Sequence, residues 1–284
     1  MNINFCIVIP IYKENLDCIE EISLKRLYNI IGKKGYDVYL LKHKDLNIKN
    51  YKNIYPNIKE INIEDKYFFT NTKTYSHLLI SKDLYKIFED AGYHYMYIYQ
   101  LDCYLFCDKL QEWCEKRYDY IGAPIFSENC GWKMSENGIY TYQVGNGGFS
   151  LRRISIFYHI CSNIINKLDK CYIDSMLNED IFFCQTIKQV YSGLIVPDWR
   201  IALKFSLDMS PDLPYDNFGI TNFPMAAHAI GKNIRFYKYY IDEFKNQDIV
   251  DYCENKYKTF FKRYYTDNWR STVKIKDDKI ETRY

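Results

Sequence analysis

The sequence predicts one α/β domain built on a mixed, mainly parallel sheet, with helices on its flanks and a helical extension at its C-terminus. Three observations predict it. The chain opens on an uninterrupted apolar run, Phe5-Cys6-Ile7-Val8-Ile9-Pro10-Ile11, which is how a strand buried on both faces reads. A helix-spaced apolar pattern and a second strand follow it, giving a β-α-β start. Strand and helix patterns keep alternating downstream, and 284 residues suffice for one large core.

The first strand ends at Tyr12-Lys13-Glu14-Asn15. Ile19, Ile22, Leu27 and Ile30 then share a helix face up to Gly32, and Val38–Leu41 supplies the next strand after Gly35. Ile80, Leu84, Ile87, Phe88 and Ala91 mark a second helix that Gly92 stops. The strand 95–101 follows, with Asp102 at its carboxyl end, the side on which open α/β sheets bind ligands. Asp108 to Lys116 reads as a helix with a capping box through Gln111. Residues 125–142 read as a long loop able to order over a substrate, and Val144–Arg152 leads into a helix that buries Phe157, Ile160, Cys161 and Ile164. Another helix starts near Asn178-Glu179-Asp180 and turns Ile181, Cys184 and Ile187 inward. From about Arg235 the chain is aromatic, basic and poor in Gly and Pro. The division is therefore a domain over 1–234, with halves meeting at about 101/102, and a helical extension over 235–284.

Hydrophobic residues at 48% and charged residues at 26% exclude a disordered chain. A formal charge of +2 gives no basic field, which argues against a nucleic-acid partner. Ten cysteines are scattered without a CxxC pair, several of them in apolar runs. With no secretory leader, this pattern reads as reduced, buried thiols in a cytoplasmic protein. The longest apolar stretches are strand-sized, so no membrane span is expected. The 30 Tyr and 17 Phe accompany a wealth of Ile, Asn and Lys, and point to biased codon usage rather than to sugar stacking. In the tail, Phe236, Tyr237, Tyr239, Tyr240, Phe260 and Phe261 lie among Lys238, Lys258 and Lys262. That segment is expected to dock on its own domain, or else peripherally on anionic lipid at the inner face of the cell membrane.

The phosphate-loop, zinc-protease and serine-hydrolase signatures are absent, which leaves a constellation of acids. A carboxylate on a strand end, such as Asp102, suits a hard divalent cation like Mn2+ or Mg2+. An Asp there also begins turns. Gly145-Asn146-Gly147-Gly148 lets backbone approach a ligand, and a tight turn would use the same residues. Glu179-Asp180 at a helix start can supply a base for an acceptor hydroxyl, although carboxylates are favoured there as caps. His228 and Lys232 offer an imidazole for a metal shell and a point charge for a phosphate, in a segment that reads equally as surface.

Order and spacing add a family resemblance. The Ile-Val-Ile-Pro-Ile-Tyr opening (7–12) resembles the nucleotide-binding first strand of GT-A glycosyltransferases. Three central blocks closely resemble those of a largely uncharacterised bacterial family classed with glycosyltransferases: Gln100-Leu101-Asp102-Cys103-Tyr104-Leu105-Phe106, Tyr118-Asp119-Tyr120-Ile121-Gly122-Ala123-Pro124 and Gly145-Asn146-Gly147-Gly148-Phe149-Ser150-Leu151. Tyr75-Ser76-His77-Leu78-Leu79 and Asn178-Glu179-Asp180 continue the match, which runs from about 5 to 232. The Gly-Gly segment followed by Glu-Asp is also similar to β-1,4-galactosyltransferases, where the Asp is the base. The usual Asp-x-Asp is here Asp102-Cys103-Tyr104, without the second acid.

The resemblance implies a glycosyltransferase moving a sugar from a nucleotide-sugar donor to a glycan or lipid-linked acceptor, as in polysaccharide biosynthesis. Pro10, Ile11 and Tyr12 would lie near the base, joined by Ser76 and Lys82. Asp102 and His228 would hold Mn2+ or Mg2+ at the diphosphate, with Lys232 as a further contact. Asn146, Gly147 and Gly148 would border the sugar. Asp180 would be the base, with Glu179 binding hydroxyls. Inversion follows from such a base, and retention is the alternative. Two rivals remain at this level. A sugar nucleotidyltransferase would need a Gly-rich, basic loop where Ile11-Tyr12-Lys13-Glu14-Asn15 stands, and a non-catalytic nucleotide-sugar- or carbohydrate-binding protein would explain Tyr104.

Overall fold

Strand β1 (Phe5–Pro10) is buried along its first five residues, the burial that its apolar run predicts. The computed structural model describes residues 3–64, 71–126, 141–174, 176, 178–209, 211–212 and 222–259. In chain order the other strands are β2 (Asp37–His43), β3 (Lys59–Ile63), β4 (Tyr95–Tyr99), β5 (Tyr104–Leu105), β6 (Tyr120–Phe126), β7 (Thr141–Arg153), β8 (Ser206–Leu207) and β9 (Ala226–Ala227). The main sheet has the order β3-β2-β1-β4-β7-β6. The pairs β1/β2, β2/β3 and β1/β4 are parallel, and β7 runs antiparallel to both β4 and β6. The expected mixed, mainly parallel sheet is thus present. Its order changes direction between β1 and β4, and such a switch point opens a crevice at the strands' carboxyl ends.

Helices cover both faces of this sheet. Helix α1 (Cys18–Ile31) buries Ile19, Leu24, Leu27 and Ile31 and starts at a reciprocal capping box between Asp17 and Glu20. Helices α2 (Lys49–Ile54), α3 (Thr72–Leu79), α4 (Lys82–Asp90) and α5 (Leu110–Glu115) follow. The helix expected around 80–91 is α4, and it starts at Lys82. Ser81 accepts from the Asp83 amide and caps α4, so the chain turns at Ile80. The buried face of α4 is Leu84, Tyr85 and Phe88, which leaves Ile87 43% exposed. The capping box expected at Asp108 does not form. Asp108 accepts from the Leu110 amide at 3.2 Å, but Gln111 reaches Glu115 at 3.2 Å instead of turning back.

Strands β6 and β7 occupy both flanks of the segment expected to be a loop over 125–142, and 127–140 lies outside the described residues. The helical runs 154–167 and 179–190 pack Phe157, Ile160, Cys161, Cys184 and Ile187 into the core. Aromatic rings fill much of the interior: Tyr97 stacks on Phe149 at 5.9 Å, and Phe149 on Phe205 at 5.0 Å. Buried tyrosines need a partner for the hydroxyl. Tyr97 donates to the Leu110 carbonyl at 2.6 Å, and Tyr120 to that of Gly145 at 2.6 Å. The nine cysteines of the described residues are free thiols.

Beyond Arg235 the chain is helical as expected, through Ile234–Tyr237, Asp242–Lys245 and Gln247–Lys256. Phe236, Tyr237, Phe244, Val250 and Cys253 pack with Ile19, Tyr104 and Leu207, so this part of the tail docks on its own domain. Phe260, Phe261 and Lys262 lie outside the described residues. Among the described residues no helix is long and apolar enough to cross a membrane.

Candidate active site

A second, three-stranded sheet with the order β5-β9-β8 assembles one half of the site. Tyr104 of β5 pairs antiparallel with Ala227 of β9, and Leu207 of β8 pairs parallel with the same Ala227. The residues just outside these pairs are consequently neighbours. They are Asp102 and Cys103 before β5, Asp208 after β8, and His228 after β9.

The imidazole of His228 is the hub. Its Nδ1 lies 2.9 Å from Asp208 Oδ1, while Nε2 lies 3.1 Å from Asp102 Oδ1 and 3.1 Å from Gln100 Oε1. Asp208 is buried, so its carboxylate fixes the ring and aims Nε2 at Asp102. Burial opposes the imidazolium, but Asp102 and then Asp208 outweigh it and push His228 up to about 10. Burial likewise opposes the Asp102 charge, yet His228 and Lys232 hold that carboxyl below its ordinary value. Cys103 Sγ lies in the same cluster and could complete a ligand triplet with Asp102 and His228. It donates instead to the Gly148 carbonyl at 3.3 Å, and burial, then Asp102, push its thiol well above the ordinary range. A neutral thiol is a poor ligand. His228 would ligate only after giving up its Nε2 proton, which an incoming cation replaces between the ring and Asp102. The carboxylate oxygen and the imidazole nitrogen oriented by Asp208 then form a donor set that fits a hard divalent cation.

Strand β7 supplies the other half. Gly122 pairs with Ser150 and Ala123 with Asn146, so one residue along β6 spans four along β7, and Gly147–Phe149 bulge off that edge. Asn146 Oδ1 accepts from the Gly148 amide at 2.9 Å and Ser150 donates to the Gly147 carbonyl at 3.1 Å, which closes the bulge. Its outer side stays bonded to the end of β4, where the Gln100 amide donates to Gly148 at 2.9 Å. Both glycines are needed for space. A β-carbon on Gly148 would overlap the His228 ring, 2.6 Å from Cε1 and closer to Nε2, and one on Gly147 would lie 2.6 Å from Glu179 Oε1.

Asp180 meets this bulge from the other side. Its Oδ2 accepts from the Gly147 amide at 2.9 Å and its Oδ1 from the Ile181 amide at 2.7 Å. Burial, then the charge of Glu179, push the Asp180 carboxyl up to about 7, against those two amides and Arg152. Glu179 itself turns into the interior, where its Oε1 binds Arg152 at 2.9 Å. Arg152 is fully buried and also donates to Tyr85 at 3.1 Å.

The structure therefore brings Asp102, His228, Gly147, Gly148, Asn146 and Asp180 together, with Lys232 in the turn after His228. Tyr12 is 55% exposed beyond β1, Pro10 is half-buried, and Ile11 is buried with its amide on the Leu41 carbonyl. Ser76 is buried on α3, and its hydroxyl has no hydrogen-bond partner among the described residues. The neighbouring Tyr75 accepts from Gln100 at 3.2 Å, so α3 abuts the site. Lys82 is exposed at the start of α4, and among the described residues no interaction with this cluster is seen. Tyr104, in the position of the missing acid, points away to donate to Glu243 at 3.0 Å and to pack on Phe244. The sequence reading missed Asp208, Gln100 and Arg152. Asp208 follows Phe205-Ser206-Leu207, a stretch too short and mixed to signal a strand.

A family model described as "Protein of unknown function (DUF5672)" matches residues 57–228. No curated protein matches the sequence. Among solved structures, mouse xyloside xylosyltransferase 1 in its apo form is similar at a TM-score of 0.51 and 12% identity, covering 80% of this chain and 97% of that one. The apo structure of the bifunctional glycosyltransferase WbbM is similar at 0.50 and 15%, covering 88% of this chain and 52% of that one. A complex of the galactosyltransferase LgtC with donor and acceptor sugar analogues gives 0.48 and 13%, over 94% and 99%. The first two likenesses show the fold, and it is the GT-A architecture.

Proposed function

The chain belongs to the DUF5672 family, and we propose that it is a glycosyltransferase that moves a sugar from a nucleotide-sugar donor to a glycan or lipid-linked acceptor. One observation carries the reading. Two consecutive glycines, Gly147 and Gly148, bring an oriented imidazole and a carboxylate of raised pKa onto adjacent peptide units at the carboxyl end of β4, one strand from the sheet's switch point. Separate groups for a leaving diphosphate and for an attacking hydroxyl are what glycosyl transfer needs.

Asp102 and His228 would hold a divalent cation, oriented by Asp208. Such an ion, when bound, neutralises charge on the departing diphosphate. Lys232 adds a point charge on the same side, and Pro10–Tyr12 border the nucleoside. Asp180 accepts the proton of the acceptor hydroxyl as the new oxygen–carbon bond forms at the anomeric carbon. The bond from that carbon to the diphosphate oxygen breaks with its electron pair, and the configuration inverts. The Gly147 amide keeps the Asp180 carboxylate in place. Glu179, held by Arg152, positions Asp180 and raises its basicity rather than meeting substrate.

The sugar nucleotidyltransferase rival loses ground. The loop after β1 carries one cation, Lys13, and Asp17 and Glu20 engage it at 3.2 Å and 2.7 Å. A binding protein without turnover is favoured by Tyr104 alone, because that side chain is built into the tail's packing and leaves a single acid. A panel of nucleotide-sugars with Mn2+ or Mg2+ tests both. Hydrolysis of one donor with inverted product supports transfer, whereas nucleotide binding without any hydrolysis favours the binding protein. Failure of every nucleoside diphosphate to bind overturns the reading.

A further inference from the structure

Gly231 follows His228 by three residues, at the end of the site where Lys232 and Asp102 meet. It is buried, and it does not adopt a positive φ, so backbone freedom does not explain a glycine here. Space does. A β-carbon on Gly231 would lie 2.7 Å from Cε2 of Tyr257 and 3.4 Å from its hydroxyl oxygen, so the ring of Tyr257 rests on the Gly231 backbone.

Tyr257 is carried in from a distant part of the chain and held there firmly. It caps the helix Gln247–Lys256, its amide donating to the Cys253 carbonyl at 2.9 Å. The preceding Lys256 binds Asp17 Oδ2 at 2.6 Å, at the N-terminus of α1, and Glu254 accepts from Arg235 at 2.8 Å. The helix thus runs from the start of α1 to the turn after His228. Half-buried, the phenol feels both Lys256 and Asp102: burial first, with Asp102 and Asp17 adding, raises it well above its ordinary value against the charge and hydrogen bond of Lys256.

We propose that Tyr257 is a donor-site residue whose hydroxyl hydrogen-bonds the diphosphate of the sugar donor, and that Gly231 is a glycine in order to admit its ring. A phenol beside a lysine and a candidate cation ligand is suited to a phosphate oxygen, since it donates without adding charge. The inference rests on the glycosyltransferase reading and assigns to the tail a part of the site.

The test is calorimetric binding of UDP and GDP, each with Mn2+, with melting temperature recorded for every variant. Tyr257→Phe keeps the ring and its packing, so it should melt like the wild type and bind about ten- to a hundredfold more weakly, the usual effect of losing a hydrogen bond to a charged group. Gly231→Ala should weaken binding by displacing the ring, yet add nothing in a Tyr257→Ala background. Nucleotide affinity unchanged in Tyr257→Phe, in a wild type that binds, overturns this inference alone, whatever Tyr257→Ala does. The same holds if Gly231→Ala costs as much affinity without the ring as with it. A wild type that binds neither nucleotide overturns the inference together with the reading beneath it.

Discussion

The imidazole of His228 lies directly on the backbone of Gly148, so that any β-carbon there would overlap the ring. Neither partner can yield. Asp208 holds the ring at 2.9 Å, and the Gly148 amide and carbonyl are bonded to Asn146 and Gln100. The glycine and the histidine therefore form one unit, although they stand at positions 148 and 228 of the chain.

Gly148→Ala should accordingly displace His228. Overpacking of this kind costs about 1–3 kcal/mol. The expected outcome is a modest loss in melting temperature together with loss of Mn2+-dependent nucleotide binding. An alanine variant with wild-type Mn2+ response in calorimetry would show that His228 is not part of the site.

Asp208→Asn addresses orientation without removing a ligand. Replacing the partner of a metal-binding imidazole typically costs about 10–100-fold in metal affinity. Mn2+ titration followed by electron paramagnetic resonance should show that loss, with Asp102→Asn and His228→Ala as the stronger references. If Asp208→Asn binds Mn2+ as tightly as the wild type, the carboxylate does not orient the ring.

Legibility in the sequence tracked the length of the local signal. β1 and β4 were legible because strands buried on both faces leave uninterrupted apolar runs, as in Phe5–Ile11 and Tyr95–Tyr99. β8 and β9 hold two residues each and exist through register rather than propensity, so nothing local announced that they would bring Asp208 beside His228. β3 went unread because Lys59 and Glu60 face solvent at the sheet edge. The Gly147-Gly148 pair was visible as missing bulk, but the reason for each glycine depends on side chains from distant segments. Glu179 shows the limit most clearly. As a carboxylate at a helix start it resembled a ligand-binding group, and only the fold reveals Arg152 waiting in the interior.

That buried pair makes a stability prediction. Arg152 is 0% exposed, so Glu179→Gln leaves its charge without a counter-ion, and breaking such a pair typically costs about 3–5 kcal/mol. The melting temperature should fall by roughly ten degrees. Replacing both residues together, as Arg152→Met with Glu179→Leu, should cost less than Glu179→Gln alone, because no uncompensated charge remains. Thermal scans of the three proteins decide it: equal stability of Glu179→Gln and wild type would deny the pair its role.

The last prediction concerns Asp180 and pH. A base must be deprotonated to act, and burial beside Glu179 pushes this carboxyl up to about 7, with Arg152 and the Gly147 and Ile181 amides pulling the other way. Turnover at saturating donor should therefore rise through an acidic limb near pH 7, not near pH 4. Stability should move the opposite way. The folded state holds this proton more tightly than the unfolded chain, so between about pH 4 and 7 the folded state binds more protons, and the Asp180 contribution to stability falls as pH rises. The stabilising effect is complete below the unfolded value and is lost as pH rises through the folded one. Asp180→Asn removes both effects. It should lower turnover by about 10²–10⁴-fold and abolish the limb. Asparagine offers one carboxamide oxygen where the carboxylate accepted from two amides, so one of those bonds is lost at a cost of about 0.5–1.5 kcal/mol. At pH 8 that loss is offset by the absence of a buried charge, and the variant should melt close to the wild type there and below it at pH 5. A helix cap alone would give neither the limb nor its loss. Turnover of Asp180→Asn above about a tenth of wild type, with the acidic limb intact, would remove Asp180 from the mechanism.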